Sequence, residues 1–145
     1  MAGSIARLPF TDATFNFVVA SEVLEHLTDI ERRHGIAEVL RVLKTNGWFL
    51  GTVPYRENLI DNYVFCPHCG NAFHRWGHQS AFDLDSLRRE LSASLTVVEL
   101  RRMAFVRFWE RPLTGKIKSL ARLVLAKYGC AIAVPSIYFA AQKRA

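Results

Sequence analysis

The sequence predicts an α/β fold within one domain that spans residues 1–145. Two β-prone apolar runs flank a segment with helical spacing, and half of the 145 residues are apolar, which is enough for a sizeable core. Strand, helix and strand in that order form a βαβ unit, whose two strands are parallel. We therefore expect a sheet of buried strands with helices packed on it.

The first βαβ unit is predicted between residues 15 and 54. The run FNFVVAS, residues 15–21, is typical of a strand covered on both faces. Thr28 and Glu31 form a capping box at the start of a helix that is predicted to continue until Asn46-Gly47 stops it. WFLGTVP, residues 48–54, is the second buried strand.

The same alternation resumes after residue 82. Asp83 is the predicted cap of a short helix through Leu91, and LTVVELRRM, residues 95–103, is a strand candidate. GKIKSLARLVLAKY, residues 115–128, separates apolar from basic positions as an amphipathic helix does. A final strand is expected in PSIYFAAQK, residues 135–143.

Composition limits the class of protein. No run of eighteen apolar residues and no secretory signal is present, so we expect a cytoplasmic protein. Residues 1–100 hold 9 Lys and Arg against 12 Asp and Glu, whereas residues 101–145 hold 10 against one. A solvated helix face is the commonest explanation of such a basic segment, and nucleic acid, an anionic membrane or an acidic substrate are alternatives.

The segment FCPHCGNAFHRWGHQSAF, residues 65–82, has the spacing of a metal site. Its pattern is C-x2-C-x4-H-x3-H, and thiolates and imidazoles are the ligands that tetrahedral zinc prefers. Pro67 and Gly70 favour a tight knuckle whose backbone amides point at the sulfurs. We predict a structural Zn²⁺ ion in an insertion over residues 60–82, although a chance cluster of cysteines and histidines is the alternative. The predicted ligands are Cys66, Cys69, His74 and His78.

Two stretches carry a family resemblance. LPFTDATFNFVVASEVLEHL and EVLRVLKTNGWFLGTVP resemble the second half of a class I S-adenosylmethionine-dependent methyltransferase of the type 11 kind. The resemblance implies that the chain is a partial methyltransferase domain with strands four to seven of a Rossmann-like sheet, the amino-terminal half being absent. It departs from the family pattern at Asn16 and at Thr45-Asn46-Gly47.

The resemblance also implies a function and a cofactor. The expected activity is methyl transfer from S-adenosylmethionine to a small-molecule acceptor, and the zinc-pinned insertion would form a lid over the acceptor. The family's Gly-rich turn and its ribose-binding acidic residue would lie before residue 1, so we expect this chain by itself to bind the cofactor weakly. The implied cofactor-binding residues are Ser4, Ile5 and Ala6 beside the adenine and Ala20, Ser21 and Glu22 at the strand end.

The segment SEVLEHL holds the candidate catalytic residues Glu22, Glu25 and His26. If the segment is helical, their spacing of i, i+3 and i+4 places the three side chains on one side. One of them would serve as a general base, or the three would hold a divalent ion, as in the quinone-pathway O-methyltransferases that this segment resembles. Solvated carboxylates and a packed histidine are the alternative without function.

Two other classes of protein stay open. A zinc-bearing nucleic-acid-binding module is favoured by the basic last third, where arginines alternate with aromatic residues, although the order of the methyltransferase motifs makes nucleic acid the less favoured partner. An inactive scaffold subunit would contact another subunit, or a membrane peripherally, through the amphipathic helix. An exposed edge of the sheet also predicts self-association.

Overall fold

A computed structural model describes residues 3–103 and 136–144, together with Ala121 and Val124. The predicted helix over residues 115–128, Cys130 and most of the basic last third lie outside these residues. The described strands and helices are β1 (Phe15–Ser21), α1 (Asp29–Val42), β2 (Leu43–Pro54), β3 (Tyr63–Phe65), β4 (Ala72–His74), α2 (Leu84–Ser92), β5 (Leu95–Met103) and β6 (Ser136–Lys143). Leu24–His26 and Leu59–Asn62 form short 3-10 turns.

The described strands form a mixed sheet in the order β1-β2-β6-β5. β1 and β2 are parallel, as the βαβ prediction requires. β6 lies between β2 and β5 and is antiparallel to both of them. β3 and β4 form a separate hairpin within the predicted insertion. The α/β class is therefore confirmed, and the carboxyl ends of β1 and β2 meet at one edge of the sheet.

The core lies between the sheet and the two helices. Phe49 of β2 and Phe139 of β6 are fully buried, and their rings meet edge to face with centroids 5.1 Å apart. α1 and α2 contribute further buried apolar side chains, among them Ile36, Val39, Leu87 and Leu91. Burial of apolar surface on both helices fixes them against the sheet.

The helix starts were predicted from the sequence, and the end of α1 was not. Thr28 Oγ1 accepts a hydrogen bond from the Glu31 amide, and the Glu31 carboxylate accepts one from the Thr28 amide, so the capping box is confirmed. The prediction that Asn46-Gly47 stops the helix is wrong, because α1 ends at Val42 and β2 begins at Leu43. Asn46 instead has a positive φ of 60° inside β2, where the pairing with β1 is irregular.

The prediction that β1 is covered on both faces is also wrong. β1 is an edge strand of the described sheet, and its Phe17 and Val19 side chains are 60% and 68% exposed. An apolar run can mark a strand, but it does not say which neighbours cover it. Within the described residues, no helix is long and apolar enough to cross a membrane.

Candidate functional site

The parallel pair β1 and β2 ends in a cluster of polar groups. Ser21 Oγ lies 2.9 Å from Thr52 Oγ1, and the Glu22 amide donates a 2.9 Å hydrogen bond to the Thr52 carbonyl. Glu22 has a φ of 53°, so the chain turns away from the sheet at this residue. Its Oε1 atom is buried and has no hydrogen-bond partner among the residues that the structure describes. This edge therefore presents a carboxylate oxygen that is free to accept a donor.

The segment after Glu22 is not the regular helix that the spacing argument assumed. Only Leu24–His26 forms a 3-10 turn, and Glu22 lies outside it, so the i, i+3, i+4 geometry does not apply. Glu25 is nonetheless fully buried, and within the described part of the chain neither of its carboxylate oxygens has a hydrogen-bond partner. His26 is partly exposed, and its Nε2 lies 4.0 Å from Glu25 Oε1.

Burial dominates the electrostatics of Glu25. It raises the pKa of the Glu25 carboxyl to about 7, and the charge of Glu22 adds to the rise, whereas the backbone amide of Glu25 itself and the charge of His78 oppose it. A buried carboxylate without a partner is costly, and such groups are found where a protein binds something.

Two histidines of the insertion lie beside this turn. The His78 ring meets the His26 ring edge to face with centroids 4.7 Å apart, and it stacks on the His74 ring at 4.9 Å. The amides of Gln79 and Ser80 donate to the Glu25 carbonyl at 2.7 and 3.1 Å. These hydrogen bonds hold the end of the insertion against the 3-10 turn.

Glu57 joins the two histidines from the other side. One of its oxygens hydrogen-bonds His78 Nδ1, and the other lies 3.6 Å from His74 Nε2. His74 Nδ1 accepts hydrogen bonds from the amides of Trp76 and His78 at 3.3 and 3.0 Å. His74 Nε2 is buried, and none of the described residues forms a hydrogen bond with it.

The predicted cysteine ligands are not part of this histidine cluster. Two groups of metal-ligating side chains occur in the described ranges with all ligand atoms within 4.8 Å of one another: Glu25, His26 and His78, and Glu57, His74 and His78. Neither group contains Cys66 or Cys69. As placed, the four predicted ligands therefore do not fit around one tetrahedral ion.

The cysteines lie at the other end of the β3-β4 hairpin. The amides of Cys69 and His68 point at the Cys66 sulfur and hold the pKa of that thiol below its usual range. Gly70 has a φ of 72°. The predicted knuckle shape is therefore present around Cys66, although the histidines that should complete the site lie with Glu57 and Glu25.

The predicted adenine-side residues lie against α1. Ser4 Oγ accepts a 3.2 Å hydrogen bond from the Ala6 amide. Ile5 packs on Gly35, where an added Cβ would lie 3.2 Å from Ile5 Cγ1. Of the strand-end residues, Ala20 is buried in the core, whereas Ser21 is exposed.

Another cleft, of about 550 Å³, opens between α1 and α2. Arg32, which lines it, donates to Glu90 and Asp29 at 2.6 Å each. Because Arg32 already pairs with both carboxylates that line the cleft, the described residues leave no unpartnered carboxylate available there, unlike at the sheet edge.

Glu57 is the functional candidate that sequence reasoning missed. It stands in the loop after β2 and belongs to no motif. The only signal was a carboxylate just upstream of a histidine-rich segment, and the contact depends on how that segment folds back. Non-local contacts of this kind have no spacing rule.

Comparisons with known proteins find likenesses to methyltransferases. Residues 1–51 match the family described as a methyltransferase domain. An uncharacterized protein of Methanocaldococcus jannaschii is 28% identical over 95 residues, which are 66% of this chain and 40% of that protein.

Solved structures resemble the whole chain. A S-adenosylmethionine-dependent methyltransferase of Methanosarcina mazei superposes with a TM-score of 0.65 at 17% identity, over 98% of this chain and 65% of that one. A Haloferax volcanii putative methyltransferase in complex with the activator Trm112 gives 0.64 at 18%, over 100% and 61%. The 1,6-didemethyltoxoflavin-N1-methyltransferase of Burkholderia thailandensis, with S-adenosylhomocysteine bound, gives 0.63 at 15%, over 100% and 50%.

These likenesses show that the chain shares the α/β fold of these solved proteins. The chain spans 40% of the curated relative and between half and two thirds of these solved chains.

Proposed function

We propose that the chain is part of a S-adenosylmethionine-dependent methyltransferase that acts on a small molecule. One observation carries the proposal. The family match over residues 1–51 includes β1 and most of β2, and the carboxyl edge of this parallel pair holds the unpartnered carboxylates of Glu22 and Glu25. Ligands of open α/β sheets bind at that edge.

The strand-end residues fit one wall of a cofactor site. When bound, S-adenosylmethionine supplies a methyl group on a sulfonium sulfur. Ser21 offers a hydroxyl, and the free Oε1 of Glu22 accepts a donor or faces a cationic group of the ligand. Ser4, Ile5 and Ala6 are assigned to the adenine side by the resemblance.

The acceptor is proposed to lie beside His26. His26 is partly exposed, so its imidazole can reach a bound molecule, whereas Glu25 is fully buried and acts through its neighbours. His26 takes the acceptor's proton, or Glu25 and His26 hold an ion that does so. Phe65, Phe73 and Trp76 of the insertion expose aromatic surface, which suits a lid over an apolar acceptor.

The strand order supports a finer proposal for the place of this chain in the domain. β1, β2, β5 and β6 are assigned to strands four to seven of the family sheet, with β6 antiparallel between its neighbours. Residues 1–145 contain no Gly-rich turn of the family kind. Contacts that such a turn makes with the cofactor are therefore not supplied by these residues.

Calorimetric titration of the chain with S-adenosylmethionine tests the proposal. We expect a Kd weaker than about 1 μM, which is less than about 8.2 kcal/mol of binding free energy, because only one wall of the site is supplied. Glu22→Ala should weaken binding further. The matched control Glu99→Ala, an exposed glutamate on β5, should not.

Two results would contradict the proposal. If the chain does not bind S-adenosylmethionine at millimolar concentration, its residues do not form part of a cofactor site. A complex at micromolar affinity or tighter would show that the chain is a complete binding domain and that the assignment to strands four to seven is wrong.

A further inference from the structure

We propose that Glu25, His26 and His78 form a binding site for a divalent transition-metal ion, with Glu57 as the carboxylate that orients His78. The site joins the turn after β1 to the end of the insertion. It differs from the Cys/His site that the spacing predicted. It deepens the proposed function, on which it rests, because His78 and not Glu22 is the third ligand beside Glu25 and His26. Metal binding can be tested separately from methyl transfer, because it is measured on this chain in the absence of S-adenosylmethionine.

The ligand atoms already converge. One ligand atom each from Glu25, His26 and His78 lies within 4.8 Å of the others. Both oxygens of Glu25 are buried, and no group of residues 3–103 or 136–144 forms a hydrogen bond with either of them. A cation is the partner that such a carboxylate lacks.

Hydrogen bonds distinguish this group from the neighbouring group of Glu57, His74 and His78. His74 Nδ1 accepts from two backbone amides, so in the neutral ring the proton is on Nε2. A protonated nitrogen cannot bind a metal ion. His74 Nε2 lies 3.6 Å from Glu57 Oε1, which is too far for a hydrogen bond.

The same argument leaves one ring nitrogen of His78 able to bind a metal ion. Its Nδ1 donates to the other Glu57 oxygen, so its Nε2 carries a lone pair. Metal-ligating histidines commonly donate their second ring nitrogen to a carboxylate, which fixes the tautomer and the ring orientation. Glu57 is therefore a positioning residue rather than a ligand.

The backbone holds the two halves of the site together. Gln79 and Ser80 donate to the Glu25 carbonyl, and Gln79 Nε2 donates to the His26 carbonyl at 2.9 Å. Ligand atoms of a tetrahedral ion lie about 3.4 Å apart when each bond is about 2.1 Å long. Small side-chain rotations from the present separations close the site without moving this backbone.

The ligand set indicates the class of ion. Two imidazoles and one carboxylate suit zinc and the neighbouring transition metals, whereas magnesium and calcium prefer oxygen ligands. Three protein ligands leave at least one coordination position open, which is the arrangement of catalytic rather than structural zinc sites. His26 would then serve as a ligand and not as a free general base.

Cobalt(II) is the probe of choice, because it substitutes for zinc and its near-ultraviolet absorption reports thiolate ligands. The metal-free chain is titrated with Co²⁺, followed by competition with Zn²⁺. We expect one site without a thiolate signal. His78→Gln and His26→Gln should each lower affinity at least tenfold, and Glu57→Gln about 10- to 100-fold.

The control variants distinguish this site from the other possible metal sites of the chain. His34→Gln replaces an exposed histidine of α1 and should leave binding unchanged. The double variant Cys66→Ser/Cys69→Ser should also keep the site. Far-ultraviolet circular dichroism shows whether each variant is folded. If substitution of a buried residue unfolds the chain, His26→Gln still tests the site, because His26 is partly exposed.

Three results would overturn the proposal. The first is a chain that binds no Co²⁺ or Zn²⁺. The second is loss of the ion in the double cysteine variant together with a thiolate signal, which would restore the Cys/His site. The third is full affinity in His26→Gln with loss in His74→Gln, which would place the ion between Glu57, His74 and His78.

Discussion

At the scale of single residues, one position in the middle of the sheet has no room for a side chain. Gly51 of β2 pairs with Ala20 of β1 and with Phe139 of β6. A Cβ at this position would lie 2.2 Å from the Ala20 carbonyl oxygen and 2.5 Å from Phe139 Cζ. Neither neighbour can retreat easily, because one is backbone and the other is a fully buried ring.

Gly51→Ala should therefore destabilise the fold by overpacking. We expect a loss of about 1–3 kcal/mol or more in the free energy of unfolding, measured by urea denaturation. Gly3→Ala is the matched control, because its added Cβ would meet only Pro9 Cδ at 3.7 Å. Equal urea midpoints for the two variants would contradict the overpacking argument.

Individual side chains also show where sequence reasoning succeeds and where it ends. The sequence singled out Glu22, Glu25, His26, His74 and His78, and the structure places the last four in one cluster. The spacing rule joined the histidines to Cys66 and Cys69, whereas the fold joins them to Glu57. A spacing rule applies when all ligands lie in one locally folded segment. Here the neighbours of His78 include Glu25 and His26, which belong to the 3-10 turn after β1.

At the scale of elements, one arginine ties the LPFTD segment to α1. Arg41 donates to Glu38 at 2.8 and 2.9 Å and to the carbonyls of Leu8 and Phe10 at 3.0 and 2.8 Å. It also donates to the Asp12 carboxylate at 2.7 Å. The Leu8 amide donates to Glu38 at 2.8 Å. Arg41 and Glu38 together therefore hold the segment that precedes β1 against α1.

The ion pair between Arg41 and Glu38 predicts that the stability of the fold depends on pH. The hydrogen bond from Arg41 lowers the pKa of Glu38 from 4.5 to about 2. A carboxyl whose pKa is depressed in the folded state stabilises the fold above its ordinary pKa, and that contribution is lost as the pH falls from 4.5 towards 2. Wild type should therefore exceed Glu38→Gln in stability at pH 6, and the difference should shrink as the pH falls.

Urea denaturation of both proteins between pH 6 and pH 3 measures this effect. Glu31→Gln provides a comparison at another carboxylate whose pKa is lowered, in this case by the amide and hydroxyl of Thr28. A stability difference between wild type and Glu38→Gln that stays constant with pH would refute the assigned role of the ion pair.

The elements themselves were predictable to different degrees. Helix starts depend on hydrogen bonds within four residues, and both capping boxes, at Thr28 and at Asp83, are present. Strand β6 is also present close to its predicted limits. The end of α1 was not predictable from Asn46-Gly47, because pairing of Leu43 with Phe15 draws the chain into the sheet earlier. Pairing between distant residues therefore overrides a local stop signal.

At the scale of the whole molecule, β1 leaves an apolar surface at the edge of the described sheet. Phe17 and Val19 are mostly exposed, although residues 15–21 have the composition of a strand with two covered faces. Leu8, Phe10, Phe15 and Val42 extend this surface as the walls of a shallow groove. An edge strand with free backbone groups and apolar side chains is a template for pairing with another chain.

We expect the 145-residue chain to self-associate through β1. Sedimentation velocity over a range of concentrations should show species larger than the monomer, and Val19→Lys should shift the distribution towards monomer because a charged edge opposes strand pairing. Ile30→Lys is the matched control, since Ile30 is equally exposed on α1 and away from the edge. A monomer at every concentration, or an equal effect of the two lysine variants, would show that this edge does not drive association.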